Sequence, residues 1–183
     1  NLMLAKRNHP KTVKVWPISE LTKASDLFDN ECPRPSSIFN SKLNLSWVHL
    51  LAGRMKKASS IYQGIDKPPA PSARQLISQL QLQGEIELRQ ERFSDALRTF
   101  THLVELTDQT RRTSALRHAL VHRAKANIAI RNFDQAVDDL RKSETLLDQL
   151  ISMIPLGEGR DTMVSARETG TKLLIETLAI ENR

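Results

Sequence analysis

The sequence predicts an all-α fold built as a stack of antiparallel helical hairpins. Three observations predict it. Apolar residues recur with a period near 3.6 almost everywhere between the proline- and glycine-rich breaks. Aromatics are 4% of the 183 residues and glycines number only 6, too few for the turns and pleated faces of a sandwich or barrel. A short residue pattern also returns three times at spacings of 38 and 40 residues, as stacked helical hairpins require. With 39% hydrophobic and 26% charged residues, the chain has apolar matter for a core, and disorder over its whole length is excluded.

The elements follow from the N-terminus. Residues 1–35 read as a basic arm and a capping helix. Lys6, Arg7, Lys11 and Lys14 lie in the arm with no acid among them, and residues 1–67 hold 11 Lys/Arg against 5 Asp/Glu. Residues 68–183 hold 16 of each, so the entire net charge of +6 comes from the first third. The arm reads as a solvated terminal segment, or as a contact for nucleic acid, an anionic surface or an acidic partner. Val13 to Trp16, between Pro10 and Pro17, reads as extended connector. Ile18 to Asn30 is expected to be helical, with Ser19 as its cap and Leu21, Ala24, Leu27 and Phe28 on one face. Two close prolines make Cys32 to Ser37 a loop. Lys67-Pro-Pro-Ala-Pro breaks the chain again, and Ser72 with Gln75 three positions later has capping-box form at a helix start. The last break is Pro155 to Gly159. Asp161 to Ile180 then reads as a C-terminal capping helix over Val164, Leu174, Leu178 and Ala179, with residues 153–183 as loop plus cap. Because the chain opens on Asn1 rather than Met, we expect it to be an excised fragment or to lack a disordered start.

Residues 36–152 carry the repeat. Met55, Phe93 and Phe133 are each followed three positions later by Ala58, Ala96 and Ala136, and four further on by Tyr62, Phe100 and Leu140. The first position opens the second helix of a hairpin and plugs the gap at the turn. Alanine stands where two helices approach most closely, and the next bulky residue fills the groove one turn later. Ser94, Asp95 and Asp134 fall in first turns, where their oxygens are expected to accept from free backbone N–H groups.

This pattern resembles the tetratricopeptide repeat family. The second unit carries it best, with Gly84 in its first helix and Phe93, Ala96 and Phe100 in its second. The third has Ala124, Phe133, Ala136 and Leu140, whereas the first has Ser46 and Met55 at the small and aromatic positions. The units are longer than the family's usual length of about 34 residues. The resemblance implies a right-handed stack, a TPR-like α-solenoid of about three repeats with flanking helices. It also implies a non-catalytic scaffold that binds a peptide or a neighbouring subunit on the surface lined by the first helices. The positions implied are Leu43, Trp47 and Leu50, then Gln81, Glu85 and Arg89, then His118, Val121 and Lys125. Some family members clamp the carboxylate tail of a chaperone at such positions. Here only Lys125 could hold a carboxylate and Glu85 would repel one, so a chaperone tail is not expected. Trp47 is either an anchor for a partner or part of the core.

Other functions find little support. His118 and His122 stand four apart, but Ala119 occupies the place of a metalloprotease glutamate and no third ligand is evident, so no metal is expected. No Gly-x-Ser-x-Gly elbow or phosphate-binding loop occurs, and the chain reads as a non-enzyme without cofactor. The single Cys32 points to a reducing compartment, cytosol or nucleus. No apolar run is long enough to span a membrane. The alternative is a nucleic-acid-binding repeat using the basic N-terminal third and helix 111–131, which holds six Lys/Arg and no acid. Those cations are equally able to pair with Asp134, Asp138, Asp139, Glu144 and Asp148 on the next helix.

Overall fold

The structure, a computed structural model, describes residues 19, 20, 22, 23, 26, 27, 34–66, 68–154 and 160–181, with the backbone alone for 160–169 and 181. Every regular element among the described residues is helical. They are α1 (Pro35–Leu51), α2 (Met55–Gln63), α3 (Ala73–Arg89), α4 (Phe93–Gln109), α5 (Thr113–Ala129), α6 (Phe133–Ser152) and α7 (Arg160–Glu181). No helix among the described residues is long and apolar enough to cross a membrane. Residues 20, 22, 23, 26 and 27 are helical as expected, whereas Ser19, expected as the cap, is already within the helix. The basic arm, Trp16, Cys32 and the rest of the 18–30 helix lie outside the described residues.

Each helix packs on the next in sequence, and α1 also touches α3, as α3 touches α5. Contacts such as Ser46 to Ala58, Arg117 to Ser143 and Arg123 to Asp139 join late residues of one helix to early residues of the next, or the reverse, as antiparallel neighbours must. The core is a layer between helices that runs from Phe39, Leu43 and Leu50 through Phe100, Leu103 and Leu120 to Leu140. Helix α7 closes its far end with Leu173 and Leu174 against the α5–α6 pair.

Four turns have one geometry. Gly53, Glu91, Arg111 and Arg131 take positive φ values of 74°, 60°, 51° and 63°. The following N–H groups of Arg54, Arg92, Arg112 and Asn132 reach back five residues to the carbonyls of His49, Glu87, Thr107 and Asn127, at 2.9, 2.9, 3.0 and 2.9 Å. This is the Schellman closure of a helix C-terminus. Glu91, Arg111 and Arg131 therefore recur every 20 residues, so the repeat of 40 read from side chains contains two equal helix–turn units of backbone. The side-chain pattern exposes only alternate turns, because the Phe-x-x-Ala opening belongs to the second helix of each pair.

Packing at the repeat positions follows the size argument. Ala58, Ala96 and Ala136 are fully buried. Gly84 faces Phe100 so closely that a Cβ there would lie within 2.8 Å of three ring carbons. In the first pair, Ser46 is not merely a poorer glycine: its hydroxyl donates to the Ala58 carbonyl at 2.8 Å, satisfying both groups in a dry interface.

Two local expectations are corrected. The loop assigned to residues 32–37 ends earlier, since α1 already begins at Pro35. Proline has no N–H to lose in a first turn, where no helical partner exists, and its fixed φ suits the helix. Ser94, Asp95 and Asp134 do not cap: α4 and α6 have no side-chain cap bond. Asp95 instead pairs with Arg98 at 2.5 Å and Arg92 at 3.7 Å. The capping box at α3 forms as read, with Ser72 and Gln75 exchanging bonds of 2.9 and 3.3 Å.

Candidate binding face

The first helices of the three hairpins, α1, α3 and α5, lie side by side. Their C-terminal ends are closed by a polar cluster. Glu85 on α3 is 9% exposed and its Oε1 lies 2.8 Å from Nδ1 of His122 on α5. Arg89, one turn on, is 3.9 Å from the same carboxylate and donates to the Leu50 carbonyl of α1 at 2.9 Å. Burial raises the Glu85 carboxyl, but the His122 bond and the charges of His122, Lys125 and Arg89 outweigh it, leaving Glu85 below the ordinary carboxylate range. The other side of the His122 ring stacks on Phe100, with centroids 5.3 Å apart and planes 20° apart. One contact series thus links Gly84, Phe100, His122 and Glu85.

The N-terminal halves of α3 and α5, and the stretch of α1 from Asn40 to Trp47 that faces α3, are open. A cavity of about 560 Å³ lies between α1 and α3 over Leu43 and Trp47, with Asn40, Asn44 and Gln75 on its walls. A second, of about 550 Å³, lies between α3 and α5 over Ile77 and Ala115, with Gln81, Arg112 and His118 around it. Arg74 and Ser78 line both, so the two adjoin across α3. No carboxylate is among the described residues that line them. Loss of hydration beside the neighbouring helices, then repulsion from Arg117, His122 and Lys125, push the His118 imidazole down to about 4, although the residue remains exposed on the cavity side. Its ring lies 3.2 Å from the Arg117 guanidinium, and Arg112 borders the same cavity.

The nine residues singled out in the sequence separate into three groups. Leu43, Trp47, Gln81 and His118 line the cavities. Trp47 is half-buried against the first core cluster and also lines the opening. Leu50 and Val121 are core, at 0% and 8% exposure, and offer a partner no surface; their faces turn toward α2–α3 and α6 rather than outward. Glu85, Arg89 and Lys125 gather around the closed cluster.

Arg112 was one of the six cations of the basic stretch 111–131, whereas Arg74 was not singled out. Arg74 was legible, because it continues the Ser78–Gln81–Glu85 face one turn earlier. Arg112 precedes its helix, where helical periodicity carries no information. In the basic helix, Arg117 is buried and its guanidinium lies 3.2 Å from His118, while Arg123 forms a two-pronged pair with Asp139 at 2.6 and 2.8 Å. Two of the six cations considered for phosphate contacts are thus turned inward. Among the described residues no three His, Cys, Asp or Glu side chains converge.

Neither a family model, nor a curated protein, nor a solved structure matches this chain.

Proposed function

We propose that the chain is a tetratricopeptide-like module, a right-handed stack of helical hairpins, that holds a peptide or neighbouring subunit as a non-catalytic scaffold. The observation that carries this reading is the pair of adjoining cavities over α1, α3 and α5, with half-buried Trp47 at one end. Openings of several hundred Å³ with an apolar floor and convergent amides are suited to binding, and a rigid aromatic at the floor is the usual anchor. The buried Gly84–Phe100 and Ser46–Ala58 approaches support the hairpin register that such a stack needs. The nucleic-acid alternative is weakened by the inward commitment of Arg117 and Arg123.

Affinity capture from a cell extract tests the reading, using the wild-type chain beside Trp47→Ala and Lys125→Ala. A partner retained by the wild type should be lost with Trp47→Ala and largely kept with Lys125→Ala, because a buried aromatic anchor carries more affinity than a rim charge. With Trp16 replaced by Phe, Trp47 alone reports by fluorescence. An emission that is fully buried and indifferent to every captured protein would remove the anchor and the reading with it.

A further inference from the structure

We propose that the groove over the N-terminal halves of α3 and α5 takes an acidic, extended segment of a partner protein, whose carboxylates meet Arg74 and Arg112 while an apolar side chain rests on Trp47. This rests on the interaction reading above and names the chemistry of the partner.

The argument is one of charge and of hydrogen-bonding type. Arg74 and Arg112 are exposed, and both edge the same 550 Å³ cavity, with no carboxylate among the described residues around it. The carboxylate on this face, Glu85, is buried at the other end of α3 and held by His122 at 2.8 Å with Arg89 and Lys125 nearby, so it does not offset the groove's charge. The first turn of α5 has no side-chain cap and no acid, and its Thr113 and Ser114 border the cavity beside Arg112. Its free N–H groups add to a field that favours carboxylates and disfavours cations.

The remaining groups select peptide over phosphate backbone. Between the two arginines and Trp47 lie amides and hydroxyls, among them Asn40, Gln81 and Ser78, over the apolar floor of Leu43 and Ile77. Amides both donate and accept, as the alternating N–H and C=O of an extended chain require. A phosphate backbone asks instead for a row of cations, and in α5 Arg117 and Arg123 are unavailable to supply one. The apolar anchor and the acids therefore belong on one segment that crosses α3, with Arg74 in the same cavity as Trp47 and Arg112 on the far side. Lys125, the cation singled out from the sequence, lies beside Glu85 and outside this groove.

The test selects ligands without presuming their sequence. Random dodecapeptides displayed on phage are panned against the whole chain at low salt, and the most enriched segment is made as a fluorescent peptide. Its affinity is measured for wild type, Arg74→Glu, Arg112→Glu, Trp47→Ala and, as a control elsewhere on the surface, Lys142→Glu. We expect selected segments to combine two or more Asp/Glu with one large apolar residue. Reversal of either arginine should weaken binding about tenfold, more at low salt than at physiological salt, while Lys142→Glu leaves it unchanged. Arg74→Gln and Arg112→Gln stand in if a reversed variant does not give the wild-type melt. Neutral or basic segments that ignore Arg74 and Arg112 but are lost with Trp47→Ala would overturn the acidic assignment and leave the interaction reading intact. Failure to select any segment would overturn both. A poly-uridine oligonucleotide that binds through Arg74 and Arg112 when no peptide does would give the groove to nucleic acid and overturn the proposal.

Discussion

Gly84→Ala sets two effects of opposite sign against each other. In mid-helix, alanine is favoured over glycine by about 1 kcal/mol, so propensity alone predicts a more stable protein. The contact predicts the reverse. A Cβ on Gly84 would lie within 2.8 Å of three Phe100 ring carbons, where carbon atoms prefer about 3.5–4.0 Å. The ring has no easy retreat, being fully buried and stacked on His122, which is itself held 2.8 Å from Glu85. Helices α3 and α4 must therefore part by a large fraction of an ångström. Overpacking of this kind costs about 1–3 kcal/mol, and the short approaches place it in the upper half of that range. After the propensity gain is subtracted, about 1–2 kcal/mol of destabilisation remains. For a chain of this size that lowers Tm by about 2–8 °C. Thermal melts followed by circular dichroism read the shift. Phe100→Leu should interact favourably with Gly84→Ala in a double-mutant cycle, because the smaller side chain makes room for the methyl. A Tm at or above wild type for Gly84→Ala would refute the close approach of α3 and α4 and the register of the second hairpin.

Further expectations follow from the same geometry. Ala96→Leu and Ala136→Leu, both at fully buried positions, should each cost about 1–3 kcal/mol in denaturant melts; unchanged midpoints for both would mean the helices do not meet there. Arg111→Gly or Arg131→Gly should stabilise by up to about 1 kcal/mol, because glycine relieves the left-handed φ of 51° or 63°; a loss of stability would show that the side chain, not the backbone, holds the turn. His118 should titrate at about 4 when its ring protons are followed by NMR, against an ordinary value of 6.5. The unfolded chain then binds the extra proton throughout that window, so this group lowers stability as pH falls from about 6.5 toward 4, and His118→Asn should flatten the slope. Glu85, held below 4.5, contributes stability above that pH and loses it as pH falls through its lowered folded value. Glu85→Gln should lose stability at neutral pH and show a shallower acid slope than wild type, and an unaltered slope would deny the His122 contact.

The legibility of this chain varies with the range of the interaction. Gly84, Ala96, Phe100 and Ala136 could be placed because close helix packing constrains side-chain size, and size is written in the residue itself. The capping box at Ser72 and Gln75 was readable for the same local reason, since both partners lie within one turn. Asp95 and Asp134 misled because a first-turn carboxylate has other outlets, and for Asp95 Arg98 was the nearer one. Half of the candidate face was readable as a stripe of helical period. Its other end holds Arg74, one turn before Ser78 on the same stripe, and Arg112, one of the six cations of the basic stretch 111–131.

Periodicity, helix formers and the spacing of small against bulky residues were enough to make this chain helical and to pair its helices as hairpins. These depend on the burial of an apolar stripe, which any helix with that pattern must achieve against a neighbour. The tertiary structure alone decided which polar groups remain available. Glu85 meets His122 across 37 positions of sequence with nothing local to announce it, and among the pairings expected between the basic helix and the acids of the next, the structure selects Arg123 with Asp139. It also decided that the turns would recur every 20 residues at non-glycine positions, since the backbone closure there is maintained by packing on both sides rather than by the residue's own preference. A pairing across helices exists only once the helices are set side by side, and the open cationic groove is what those pairings leave uncovered.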